Sequence, residues 1–332
     1  MAATIKDIAR LAGVSPATVS RVLANKTAFY GPTTAEKVQA AALKLGYRKN
    51  TAAAELVTQH SNVIAVVVNS VKTNFSSQII TGIQDTAAAH GLHVIIVYAG
   101  ITDPEAQRKA LLTVIERPVM GILLLSLNLT PENLQLLQGA QTPYCFLSIA
   151  FDDGDLPSIA SDDWQVGYQA TQTLLKAGHR QIGLAAVDSD SHTGRFRLAG
   201  YESALRDAGV TPQAEWVQPG VYSYEAGREA MAAYGVTSGL TGVVAGSDMA
   251  AIGVLNQARN LGLAVPTDLS IVSIDGTEMC ELVQPQLTSV SQNFYDMGAA
   301  GVRQLLAPDQ HPQQVTPIQV VERETVRTLP VK

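Results

Sequence analysis

Residues 4–23 constrain this chain more than any other stretch. Ile5, Ile8, Ala9 and Ala12 recur at the i, i+3, i+4, i+7 spacing of a single helical stripe. Thr4 can cap that helix, with Asp7 three residues on to reach back to a free N–H, and Gly13 can supply the left-handed residue that ends it. Ser15 and Pro16 at once form a second start signal, an N-cap followed by proline at the first helical position. In the second helix Val19, Val22 and Leu23 point inward, which leaves Pro16, Ala17, Ser20 and Arg21 facing outward. Two short helices joined by so short a turn predict a helix-turn-helix, whose second helix can enter the major groove of DNA. Periodicity alone also permits an ordinary helical hairpin inside a core.

Charge is segregated along the chain. Residues 1–50 hold eight basic side chains, Lys6, Arg10, Arg21, Lys26, Lys37, Lys44, Arg48 and Lys49, against Asp7 and Glu36, a net +6; the whole chain is −6, so the remainder carries −12. A basic head on an acidic body fits phosphate contact by the head alone. With 332 residues, 46 % hydrophobic and 16 % charged, there is room for two or three soluble domains. No apolar run reaches the ~18 residues a bilayer span needs, and the polar start predicts no signal peptide and a cytoplasmic location. Cys145 and Cys280 lack metal-site or C-x-x-C spacing and read as core thiols.

Further along, Ala24–Tyr30 read as a loop, and Gly31 and Pro32 open a third helix with Val38, Ala41, Ala42 and Leu45 on one face before Gly46. Residues 50–57 have helix-forming alanines but are too few to hold a helix alone. From Asn62 the pattern becomes apolar strands alternating with amphipathic helices: Val63–Val68, Phe75–His90, Val94–Tyr98, Ala106–Glu116 and Gly121–Leu125. Leu174–Gly178, Ile182–Val187, Gly200–Ala208, Gly242–Ala245, Ala250–Leu261 and Ser270–Ile274 continue it. Such alternation predicts parallel sheets covered on both faces, too many strands for one sheet and hence two α/β subdomains. Ligands in such folds meet the carboxyl ends of the strands, here in a cleft between subdomains.

The 4–23 stretch resembles the N-terminal signature of the LacI/GalR family of bacterial transcription regulators nearly residue for residue. The resemblance covers essentially the whole chain: Ser161-Asp162-Asp163 with Gly167 and Ala177–Ile182, Gly194–Tyr201, Ser247-Asp248, Leu269–Asp275 and Pro285–Val290 look like family segments. The Phe29-Tyr30 loop resembles the variant of sucrose- and fructose-responsive members, and the stretch Asp275–Met297 is most similar to sucrose operon repressors. Lys49 stands where the family often has proline, and Asp275-Gly276 replaces its more usual Asp-Asp or Asp-Asn.

What the resemblance implies is a helix-turn-helix headpiece over 1–49 and a hinge helix or linker over 50–60. An effector-binding and dimerisation core over 61–332 then has a periplasmic-binding-protein-like fold of two doubly wound parallel-sheet subdomains. The N-subdomain would take about 61–161 and 292–319, the C-subdomain about 162–291 and 320–332. The implied DNA-contacting set is Thr4, Ser15, Pro16, Ala17, Thr18, Ser20, Arg21, Asn25 and Tyr30, with Asn50, Ala53 and Leu56 in the hinge, Leu56 at the position of the family's minor-groove wedge. Ala17 can offer only apolar contact, so Arg21 should carry most polar contact from its helix, with Thr18 and Ser20 addressing phosphate.

A sugar needs fixed polar groups and a flat aromatic wall. Matched to the family's motifs, the resemblance implies Arg197, Asp248 and Asp275 as candidate anchors, Phe75, Tyr222 and Phe294 as candidate walls, and Asn69 and Ser126 as candidate contacts at strand ends on the other subdomain. Asp248 could equally cap its helix, and Phe75 and Phe294 could be plain core. No P-loop, G-x-G-x-x-G or nucleophile motif is present and the histidines are scattered, so no catalytic residue, metal site or cofactor is expected. The reading is a homodimeric repressor of a carbohydrate operon, sucrose foremost, that binds double-stranded operator DNA and is released by a sugar. Alternatives are a catabolite-control regulator answering to a phosphoprotein, a co-repressor-dependent regulator, a transport-type sugar-binding protein and a sugar-modifying enzyme. The final residues carry no leucine heptad, so no tetramerising coiled coil is expected.

Overall fold

The computed structural model describes residues 3–25, 27–47, 61–69, 74–100, 103–151, 156–307 and 313–330. The chain divides into two units, Met1–His60 and Ser61–Lys332. The hinge candidates Asn50, Ala53 and Leu56 lie outside the described residues.

In the first unit, α1 (Ile5–Ala12), α2 (Pro16–Leu23) and α3 (Pro32–Lys44) close one small core. Thr4 and Asp7 form a reciprocal capping box, and Gly13, at φ 68°, ends α1 in the left-handed region that costs glycine nothing. Ser15 caps α2 by accepting the Thr18 N–H at 3.1 Å. Ile8, Ala9, Val19, Val22, Val38, Ala41 and Ala42 are buried together. Leu45, expected on the same face, is 37 % exposed: α3 ends at Lys44, which takes Leu45 off the helical stripe, and Tyr47 packs against the core in its place. The connecting loop holds a single 3₁₀ turn, Thr27–Phe29.

The second unit runs β1 (Val63–Val68), α4 (Ser76–Ala89), β2 (His93–Tyr98), α5 (Pro104–Ile115), β3 (Gly121–Leu125), α6 (Pro131–Gly139), β4 (Tyr144–Leu147), β5 (Ser158–Ser161) and α7 (Asp163–Lys176). It continues with β6 (Ile182–Val187), α8 (His192–Asp207), β7 (Val217–Pro219), α9 (Tyr224–Tyr234), β8 (Gly242–Ala245), α10 (Asp248–Asn260) and β9 (Ser270–Asp275). Last come α11 (Met279–Leu282), β10 (Thr288–Gln292), α12 (Phe294–Leu306), β11 (Gln313–Thr316) and β12 (Ile318–Val321). Leu174–Gly178 is the end of α7 and the turn after it.

Two six-stranded sheets result, in the orders β11-β5-β4-β3-β1-β2 and β12-β10-β9-β8-β6-β7. Every pairing is parallel except β10 with β12. The fold is thus a helix-turn-helix unit followed by a parallel-rich, two-sheet α/β core. The chain passes between sheets after Ser161, after Gln292 and between Thr316 and Ile318.

Strand β1 shows why both faces are covered. Ile64, Val66 and Val68 point into a core with Ile79, Ile83, Phe294 and Val302, while Ala65 and Val67 point oppositely onto Leu111, Val114 and Leu137. Side chains alternate across a strand, so an unbroken apolar run demands a layer on each side.

Three helix pairs pack through reciprocal glycines. A Cβ on Gly82 of α4 would strike the Tyr295 carbonyl of α12, and one on Gly298 of α12 would strike the Ile79 carbonyl of α4. Gly167 of α7 and Gly200 of α8 meet the carbonyls of Arg197 and Trp164; Gly227 of α9 and Gly253 of α10 meet those of Ala250 and Tyr224. Backbone approach this close admits no methyl group, and it fixes where the side chains next to these carbonyls can go.

Candidate functional site

On the N-terminal unit, burial of Val19 and Val22 leaves Ser15, Pro16, Ala17, Ser20 and Arg21 exposed along α2. The Arg21 guanidinium lies over the Phe29 ring, 5.1 Å from its centroid. Phe29, itself 61 % exposed, therefore braces a long exposed cation of α2, a role that its position in a loop did not signal. The hydroxyls of Thr4, Ser15 and Thr18 have local duties: Thr4 donates to Asp7 at 2.7 Å, and Ser15 and Thr18 share a bond of 2.9 Å. Asn25 is exposed at φ 52°, and Tyr30 packs half-buried against the core of this unit.

In the larger unit a cavity of about 430 Å³ lies between the two sheets. Its wall is built at the carboxyl ends of parallel strands: Asn69 follows β1, Ser126 β3, Ser148 β4, Asp188 β6 and Gly246 β8, while Asp275 ends β9 and Gln292 ends β10. Tyr222 stands in the loop after β7. Parallel strands all release their chains at one end, so the turns that follow converge there. Ser126, Ser148, Tyr222 and Asp275 line the cavity with positive φ, at 52°, 60°, 60° and 112°, conformations that L residues rarely adopt. Strain of this kind is held in place by the surrounding packing and concentrates at binding sites.

Arg197 is the buried hub. Its Nε donates to Asp163 Oδ1 at 2.9 Å, its Nη1 to the Gly246 carbonyl at 2.8 Å, and its guanidinium sits 5.5 Å from the Tyr222 ring centre. Burial works against its charge, but Asp163, Tyr222 and Asp275 outweigh that and hold its pKa above the usual value. Asp275 is 6 % exposed and accepts from Gln292 Nε2 at 2.8 Å. Burial, reinforced by the neighbouring Asp248, pushes its carboxyl well above the ordinary range, against the pull of Arg197 and Gln292.

Six of the eight candidates (Asn69, Phe75, Ser126, Arg197, Tyr222 and Asp275) stand together in this wall. Asp248 and Phe294 do not line it. Asp248 accepts from Ser273 Oγ at 2.7 Å, Thr277 N at 2.7 Å and Thr277 Oγ1 at 2.9 Å, which uses its carboxylate to hold the turn after Asp275. Nor does it cap α10, since Ser247 accepts from Ala250 N. Phe294 is 1 % exposed and stacks behind Phe75, ring centres 4.8 Å apart, so it backs the aromatic wall from the core.

Gln107, Asp163, Asp188 and Gln292 also line the cavity and were not singled out in the sequence. Asp163 and Gln292 flank chain crossings between sheets, and Asp163 lies in the segment whose resemblance already placed it at such a crossing; Gln107, in the first turn of α5, carries no sequence signal. Cys145 and Cys280 are buried free thiols, both pushed up to about 12 by burial.

Residues 4–50 match the family described as bacterial regulatory proteins, lacI family, and residues 171–326 match a periplasmic binding protein-like domain. Catabolite control protein A of Priestia megaterium is 31 % identical over 307 residues, 92 % of each chain. The chain belongs to the lacI family of bacterial regulatory proteins.

This lacI-family transcriptional regulator is also similar to two solved structures, each 28 % identical to it. The lac repressor dimer bound to operator and the anti-inducer ONPF superposes with a TM-score of 0.86, covering 98 % of this chain and 100 % of that one. The transcriptional regulator CelR in complex with cellobiose gives 0.74, covering 97 % and 99 %. Among the described residues no helix is long and apolar enough to cross a membrane, and no group of three or more His, Cys, Asp or Glu is placed to hold a metal ion.

Proposed function

We propose that this regulator is a homodimeric, sugar-responsive repressor of a carbohydrate-utilisation operon, with sucrose the first effector to test. The cavity carries the reading: strand-end polar groups from both sheets, with Phe75 as an apolar wall, suit a molecule of many hydroxyls and apolar ring faces. A ligand that touches both subdomains binds one arrangement of them better than another, and only such differential affinity can shift an equilibrium. In this reading two headpieces occupy the halves of a pseudo-palindromic operator, and sugar in the cleft favours the arrangement that binds DNA weakly. The cellobiose held by CelR and the operator held by the lac repressor dimer support those two halves of the proposal.

A second reading has one observation in its favour, the likeness to catabolite control protein A. There the effector would be a phosphoprotein, with or without a small co-repressor. Fluorescence anisotropy on DNA from the protein's own upstream region, titrated with sucrose, fructose, maltose, trehalose and cellobiose, separates the two. Release by one sugar supports the inducible repressor; tight DNA binding that no sugar alters favours the protein effector.

A further inference from the structure

The N-subdomain wall of the cavity holds three buried polar atoms, Asn69 Oδ1, Gln107 Oε1 and Ser126 Oγ, without a hydrogen-bond partner among the described residues. Burying such atoms unpaired costs stability, so a wall that keeps three of them has a use for them. The polarity of the two amides is fixed. Asn69 Nδ2 donates to the Ser126 carbonyl at 3.1 Å, and Gln107 Nε2 donates to the Asn128 carbonyl at 3.2 Å. Turning either amide over would set two carbonyl oxygens against each other, so the oxygens are what remain for a ligand. Gln107 is 5 % exposed, too enclosed to swing away.

The cavity's charge points the same way. Among the described residues its lining holds Asp163, Asp188 and Asp275 against the single cation Arg197, already bonded to Asp163.

We propose that Asn69, Gln107 and Ser126 form an acceptor-rich subsite that selects a neutral, hydroxyl-bearing ligand and rejects its phosphorylated form. This rests on the sugar-responsive reading above and narrows it. A sugar hydroxyl can donate to each amide oxygen and exchange a hydrogen bond with the Ser126 hydroxyl, whereas a phosphate sets further acceptors and negative charge against the two amide oxygens in a cavity that Asp163 and Asp188 also line.

Isothermal titration of the full chain with matched pairs tests it: glucose and glucose 6-phosphate, trehalose and trehalose 6-phosphate, sucrose and sucrose 6-phosphate. The expected result is binding of a neutral member about tenfold or more tighter than its phosphate. Gln107→Met, similar in volume, should weaken the neutral sugar about tenfold while circular dichroism stays unchanged. Gln107→Lys should narrow the gap between neutral and phosphorylated forms. Equal or tighter binding of the phosphate, or undiminished affinity in Gln107→Met, overturns the subsite while leaving a sugar-responsive regulator. Silence from every pair, with operator binding intact, overturns the sugar-responsive reading and the subsite with it.

Discussion

Arg21 and Asp275 illustrate opposite uses of a charged side chain. Arg21 is exposed and lies over the Phe29 ring, and in the proposed reading its guanidinium meets a base edge. Arg21→Ala should cost about 1–3 kcal/mol of operator binding and relax preference at one base pair, read by anisotropy on a set of single-site operator variants. Phe29→Ala should cost less, because it loosens the arginine but leaves the contact available. Asp275 is buried in the cavity wall, and its folded-state pKa lies above the usual 3.8. Its contribution to stability is therefore fully present below about pH 3.8 and is lost as the pH rises through the folded value. Asp275→Asn removes that loss. It should be no less stable than the parent at neutral pH, with a flatter dependence of Tm on pH, yet bind sugar at least about tenfold more weakly in calorimetry.

At the scale of elements, the reciprocal glycine pairs decide where binding groups stand. Gly167 lies against the carbonyl of Arg197 itself, so the approach of α7 to α8 sets the position of the buried guanidinium. Gly167→Ala should destabilise the fold by about 1–3 kcal/mol in urea denaturation, as overpacked contacts do, and also weaken sugar binding by displacing Arg197. Gly253→Ala, between α9 and α10, should cost similar stability with a smaller effect on affinity, because the carbonyl it meets belongs to Tyr224 and not to a residue of the cavity wall. These pairs were invisible in the sequence: a glycine in a helical pattern reads as a weak point until the facing backbone is known.

For the molecule as a whole, charge segregation and one buried histidine give separate measurable behaviours. The net +6 of residues 1–50 predicts operator affinity that falls linearly in log–log terms with salt, while sugar affinity, which releases no counterions, changes little. His179 is buried between Thr241 Oγ1, at 2.9 Å, and the Arg327 carbonyl, at 3.1 Å, and ties the end of α7 to the chain that follows β12. Burial, together with the charge of Arg327 and against the bond to its carbonyl, holds the imidazole below its ordinary 6.5. The stability it contributes is thus present above about pH 6.5 and is lost as the pH falls toward the folded value. Between about pH 7.5 and about pH 5.5 the parent should lose more Tm than His179→Gln does.

The helix-turn-helix was legible because its determinants are local: caps, a left-handed glycine and a 3.6-residue stripe each act within a few positions. The α/β layering was legible too, since continuous β-branched runs leave no solvent face to either side. Arg197 and Asp275 could be picked out on their motifs, and both stand in the cavity wall. Tertiary structure alone decided which polar groups face that cavity and which are spent on the protein. Asp248 and Asp275 were both candidate anchors in the sequence, yet one carboxylate is consumed by the turn that follows the other. Phe75 and Phe294 are one stacked pair, of which only the first reaches the wall. Gln107 carries no local signal, because its value lies in a carbonyl at Asn128 that takes its N–H₂ and leaves its oxygen unpaired. Helices are written by neighbours in the chain; a binding wall is written by strand ends that meet only after the sheets have formed.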